Sequence, residues 1–144
     1  MRTNLKSIFL CIKYQIAQML PQGGGSIVNC ASVSGLSATP KMPAYCASKF
    51  GIMGLTKVAA RDYATRGIHI NAVYPGTIHT SAVDAFLQQE PELADRFIDT
   101  IRARHPMGRL GTPEEVASAV VWLSSPGASF MTDHGLVVDG GRMA

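Results

Sequence analysis

The front of the chain lacks negative charge: no acidic residue precedes Asp62, although Arg2, Lys6, Lys13, Lys41, Lys49, Lys57 and Arg61 all do. These basic residues are scattered through apolar segments and form neither a run nor an aromatic-flanked patch. The imbalance therefore reads as a lopsided surface, and nucleic acid is not an expected partner. Cys11, Cys30 and Cys46 are odd in number and have no CxxC spacing, which argues against a disulfide framework or a zinc site. His69, His79, His105 and His134 show no HxxxH or HxxE arrangement, so no metal site is expected. The absence of G-x-S-x-G disfavours a serine hydrolase. No stretch approaches the ~20 apolar residues of a membrane span. The opening MRTNLKSIFLCIKYQ is basic and acid-poor, as a transit peptide is. Yet Ile8, Phe9, Ile12, Ile16 and Met19 or Leu20 keep helical spacing and suit an ordinary packed helix better. A reducing, cytoplasmic compartment is the expectation.

What is present describes a soluble globular domain: 144 residues, 47% of them apolar and 16% charged, with a net charge of +3. Periodicity predicts a helix from about Asn4 to Leu20, stopped by Pro21 and the run Gly23-Gly24-Gly25. SIVNCAS (Ser26 to Ser32) then reads as a buried parallel strand. A loop leads to Pro43, where a long helix begins and runs to about Arg66, burying Ile52, Leu55, Ala59 and Tyr63. Gly67 stands where a helix-ending glycine belongs. Ile68 to Tyr74 reads as a second strand, and residues 80–104 as one or two short amphipathic helices. Thr112-Pro113-Glu114-Glu115 opens a helix to about Leu123 with a capping Thr, a Pro and first-turn acids. Gly135 to Val138 is the last strand. This alternation predicts an α/β fold, a parallel sheet with helices on both faces.

The residues with chemical promise are Ser32, Tyr45 and Lys49. On a helix Tyr45 and Lys49 are four apart and share one face. An ammonium group held beside a phenol stabilises the phenolate, which makes a poor base usable near neutral pH. Ser32 falls at the carboxyl end of a predicted parallel strand, the edge at which open α/β sheets place ligands. Taken alone, the YxxxK pair reads equally as an aromatic core residue beside a solvated lysine. Cys46 lies about 100° round the helix from Tyr45 and reads as a packing residue. Ser34 and Ser48 are near enough to tune the site. Gly23-Gly24-Gly25 precedes a strand, whereas a phosphate cradle follows a strand and opens a helix, so it reads as a linker.

The stretches GGGSIVNCASVSGL and PAYCASKFGIMGLTKVAARDYATRGIHINAVYPGTIHT resemble the short-chain dehydrogenase/reductase family almost continuously. PMGRLGTPEEVASAVVWLSSPGASF and GLVVDGG are similar to that family's C-terminal segment. The resemblance implies the C-terminal part of a Rossmann-like doubly wound parallel sheet, with about three strands and flanking helices. Residues 1–144 are then expected to be a single partial domain, catalytic and substrate-binding. It also implies roles. Tyr45 is the general acid/base, Ser32 holds the substrate oxygen, and Lys49 assists Tyr45 and holds the nicotinamide ribose. Asn4 matches the asparagine that completes the family's proton relay, though alone it reads as readily as a helix-start residue. Pro75, Gly76, Ile78 and Thr80 match the loop at the nicotinamide end, with Ile78 acting through its backbone and Thr80 through its hydroxyl. The implied chemistry is metal-free hydride transfer between NAD or NADP and an alcohol/carbonyl pair.

The family's glycine-rich dinucleotide loop, its NAD/NADP selector and its NNAG-like segment would fall before the equivalent of Asn4. The expectation is therefore a chain without the N-terminal dinucleotide-binding part, showing little or no activity by itself. The alternative is a non-enzymatic fragment that acts as an oligomerisation or interaction module. In the family's full-length form a homo-oligomer, dimer or tetramer, is expected, pairing through the first helix and the YxxxK helix. Residues 81–104, with Phe86, Leu87 and Phe97, would shape the substrate pocket. Asp133 stands where the family usually has glycine.

Overall fold

Three strands too short and too apolar to be stable alone combine into one parallel sheet in this computed structural model. It describes residues 1–89 and 91–144; residue 90 and the side chains of Phe86 and Pro91 lie outside the described residues. The strands are β1 (Gly25–Cys30), β2 (Ile68–Pro75) and β3 (Gly135–Val138), in spatial order β1-β2-β3. Both ladders are parallel, with Gly25 opposite Ile68 and Ala72 opposite Gly135. The central strand is covered on both faces, and Ile68, Ile70, Ala72, Val73 and Tyr74 are inaccessible to solvent. That is why IHINAVY shows no alternation of polarity.

The first helix, α1 (Ser7–Gln22), is preceded without a break by a wide π turn over Arg2–Lys6. Pro21 does not stop it. It sits in the last turn, where its missing N–H costs one hydrogen bond of a helix whose last residue is Gln22. The stop is Gly23, in the left-handed region at φ 85°, whose N–H reaches back to Leu20 O and Met19 O. The second helix, α2 (Pro43–Tyr63), ends through a 3-10 turn (Ala64–Arg66) into Gly67 at φ 72°, as expected. Ile12 and Ile16 of α1, Ala59 and Ala60 of α2, and Ile27, Ile68 and Ile70 of the sheet form one core cluster; Ile8, Leu55 and Tyr63 pack against it. Each fully buried isoleucine there contributes roughly 1.5–3 kcal/mol. Phe9, expected in the stripe, is instead 51% exposed.

The other face of the sheet carries α5 (Pro113–Leu123), placed there by alternation along β1. Ile27 points to α1 and α2, while its neighbour Ser26 donates to Leu123 O at 3.3 Å. The start of α5 is a full capping box between Thr112 and Glu115. Between β2 and α5 lie α3 (Ser81–Gln89) and α4 (Pro91–Ala103), two short helices as expected. Asp133 keeps the turn that glycine would make, in the left-handed region at φ 61°, and pairs with Arg61 Nε at 2.9 Å. The described residues include no helix long and apolar enough to cross a membrane, and Cys11, Cys30 and Cys46 are free thiols.

Candidate active site

β1 ends at Cys30, two residues sooner than the sequence suggested. Ala31 extends the ladder by one bond, to Val73 O at 2.9 Å. Ser32 thus lies just past the strand, where its side chain caps a 3-10 turn, Val33–Gly35, by accepting from Ser34 N–H at 3.2 Å. With its oxygen engaged as an acceptor, the hydroxyl has its own proton left to donate. Gly35 lets this turn lie directly on α2. A Cβ there would stand 2.7 Å from Lys49 O, a contact backbone cannot relieve.

On α2, Tyr45 and Lys49 share the face that meets this turn. The ammonium of Lys49 lies 5.6 Å from the centre of the Tyr45 ring and donates to Cys30 O at 3.1 Å. The lysine is therefore tethered to the end of β1, with two of its three donors unspent. Tyr45 and Lys49 are half-buried, Ser32 is buried. Cys46 is buried on the adjoining face, with its sulfur 3.3 Å from Thr39 N, the packing role expected of it. Asn4 reaches α2 at Ser48, donating to its Oγ at 3.3 Å, while Ser48 Oγ donates to Tyr45 O at 2.6 Å. Asn4 is thus linked to Tyr45 through Ser48 and the backbone of α2.

Tyr74, at the end of β2, is the contrasting tyrosine. It is sealed in the core with Ala31, Ile52 and Ala72, and its hydroxyl has no hydrogen-bond partner among the described residues. Burial pushes its pKa up to about 12, so it stays a neutral phenol.

The facing wall is the segment from Pro75 to Thr80, and backbone pairing holds it. Gly76 N–H donates to Val138 O at 3.0 Å, prolonging the sheet by one bond. Ile78 forms an isolated parallel bridge with Gly111, through Gly111 N to Thr77 O at 3.0 Å and His79 N to Gly111 O at 2.9 Å. Those bonds use the carbonyl of Thr77 and the N–H of His79, so the bridge leaves the N–H and C=O of Ile78 itself unspent. His79 Nε2 lies 2.7 Å from Asp84 Oδ1, tying the segment to the first turn of α3.

Together these walls enclose a cleft of about 370 Å³, lined by Cys30, Ala31, Ser32, Tyr45 and Lys49 on one side and Pro75, Gly76, Ile78 and Thr80 on the other. Every sequence-derived site residue except Asn4 lines it. Pro113 and Val116, from the first turn of α5, close the third side. Nothing in the sequence singled them out for the cleft; the capping box announced where α5 begins, not what it faces. A separate cavity of about 300 Å³ lies behind the Pro75–Thr80 wall, lined among others by Thr77, His105, Arg109 and Asp139.

A family model described as enoyl-(acyl carrier protein) reductase matches residues 1–142. The chain is 44% identical over 137 residues to a cyclohexanol dehydrogenase of Acinetobacter sp. (strain SE19), covering 95% of this chain and 51% of that protein. It is 42% identical over 147 residues to 2-(S)-hydroxypropyl-CoM dehydrogenase 3 of Xanthobacter autotrophicus, covering 100% of this chain and 56% of that protein. Among solved structures it resembles ElxO with NADP bound, at a TM-score of 0.87 and 38% identity, over 97% of this chain and 55% of that one. The chain spans about half the length of the relatives it matches.

Proposed function

Because the chain belongs to the short-chain dehydrogenase/reductase family, we propose that its cleft is the acid–base and nicotinamide-end half of an NAD(P)-dependent alcohol/carbonyl oxidoreductase site. The observation that carries this reading is the convergence of Ser32, Tyr45 and Lys49 with the Pro75–Thr80 segment on one cleft.

In the reducing direction, Ser32 donates a hydrogen bond to the substrate oxygen, and Tyr45 passes its hydroxyl proton to that oxygen as charge develops there. Lys49 holds a positive charge beside the Tyr45 ring, fixed by its bond to Cys30 O. The cleft fits the nicotinamide-ribose end of the cofactor: the spare donors of Lys49 suit ribose hydroxyls, and the spare backbone groups of Ile78 suit a carboxamide. Thr80 adds a hydroxyl at the same rim. NAD(P)H, when bound, supplies the hydride. The NADP-bound relatives make NADP(H) the first form to test.

Both named dehydrogenases take secondary alcohols by name, which supports that substrate class. Among the described residues the triple glycine ends α1 and leads into β1 rather than following a strand and opening a helix, so these residues alone are expected to grip a dinucleotide weakly and turn over little or not at all. Exposed Phe9 and Tyr14 on α1 and Val58 on α2 support pairing of two copies across those helices, and three free thiols fit a reducing, cytoplasmic setting.

The test is NADPH-dependent reduction of cyclic and short-chain ketones by the protein as its source cell makes it, beside its Tyr45→Phe variant. Turnover that disappears in the variant supports the reading. A wild type that binds NADPH yet reduces no ketone of the panel, or a variant that keeps its rate, overturns it.

A further inference from the structure

We infer that His105 is a positioning residue, which sets the Pro75–Thr80 wall from behind through the amide of Thr77; this rests on reading that wall as the nicotinamide end of the site. His105 follows the last turn of α4, is 2% exposed and lines the rear cavity rather than the cleft. Both ring nitrogens are committed. Nδ1 stands 2.7 Å from Ile101 O, and Nε2 stands 3.2 Å from Thr77 N. A carbonyl only accepts and a backbone N–H only donates, so chemistry fixes the tautomer: Nδ1 carries the proton and Nε2 accepts. The ring is thus a rigid strut between a carbonyl of α4 and the amide one residue past Gly76. It fits so closely that a Cβ on Gly76 would stand 3.0 Å from Nε2.

The arrangement around Thr77 shows what the strut controls. Its carbonyl is taken by Gly111 N–H, and its side chain receives Arg142 Nη1 at 3.4 Å. Its amide is satisfied by His105. Removing that acceptor frees the peptide between Gly76 and Thr77 to turn, and with it the neighbouring groups of Ile78. No side chain of His105 reaches the cleft; it acts through the backbone alone.

Amide hydrogen exchange on the purified chain tests this without requiring bound cofactor, so its outcome is independent of whether the protein turns over NADPH. In His105→Leu, exchange at Thr77 is expected to accelerate by about fivefold or more, the loss of one hydrogen bond, with Ile70 and Ala72 in β2 unchanged. His105→Gln, whose side-chain oxygen reaches the position of Nε2, is expected to restore slow exchange at Thr77. Unchanged exchange at Thr77 in His105→Leu overturns the inference, as does an equal rise across β2, which would mark general loosening. Should His105→Leu fail to fold, His105→Asn takes its place, being too short to reach Thr77; equal exchange in the Asn and Gln variants overturns the inference.

Discussion

On one wall of the cleft the groups assigned to the proposed chemistry are side chains of a single helix, Tyr45 and Lys49, with Ser32 laid against them by the turn that Gly35 permits. On the other wall they are backbone groups of Pro75–Thr80, held in place by β3, Gly111 and His105. The first wall is built from residues no more than 19 positions apart, the second is held by partners 28 or more positions away. Damage to the first should therefore remove chemistry and leave the fold intact, whereas damage to the second should appear as strain or loosening before it appears as lost chemistry.

The largest expected effect is on the first wall. On the proposed reading Tyr45→Phe removes the transferable proton and should lower ketone reduction by the protein as its source cell makes it by roughly 10²–10⁴-fold, with the thermal midpoint unmoved; a comparable loss of stability would blur the distinction between the walls. Next comes Gly76→Ala on the second wall. A Cβ there would stand 2.9 Å from Cα and Cβ of Asp139, and such overpacking costs about 1–3 kcal/mol. Equilibrium denaturation should show it even with no cofactor present. Thr112→Ala takes away the cap of α5, the helix that closes the third side, and should cost about 1 kcal/mol, read in the same assay.

The smallest effect is a pH dependence. Glu115 completes that cap and accepts from Arg109 at 2.6 and 3.0 Å, and the guanidinium holds its carboxyl down at about 2, from an ordinary 4.5. A depressed acid contributes stability above its unfolded value and loses it as pH falls through the folded one. The contribution should therefore fade between pH 4.5 and about 2, and Arg109→Leu should flatten that part of the profile. The pair is exposed to solvent, so added salt should weaken it.

The same contrast explains what the sequence revealed. Tyr45 with Lys49 and the Thr112–Glu115 start of α5 are local patterns, and each is where its spacing implied; Ser32 is displaced by two residues, past the strand end and into the cap of a turn. Pro21 misled because a proline one turn from a helix end costs little. Phe9 misled because helical spacing does not say which apolar residues a neighbour will cover. Pro113 was legible as a helix start, but that it and Val116 face the cleft was not, since facing the cleft depends on how α5 lies across the sheet. His105 carried no signal at all. A ring nitrogen accepting from a distant amide has no spacing to read, unlike a pair of metal-ligating histidines.

The parallel register also governs how this molecule can come together. Because Gly25 pairs with Ile68 and Ala72 with Gly135, no ladder can form from a hairpin, and each must wait until an intervening stretch with its helices has been spanned. Loop-closure entropy falls due before any sheet bond offsets it, which places such a chain among slow folders of high contact order. While it waits, β1, β2 and β3 are apolar strands with unpaired edges, so recovery on refolding should fall as concentration rises.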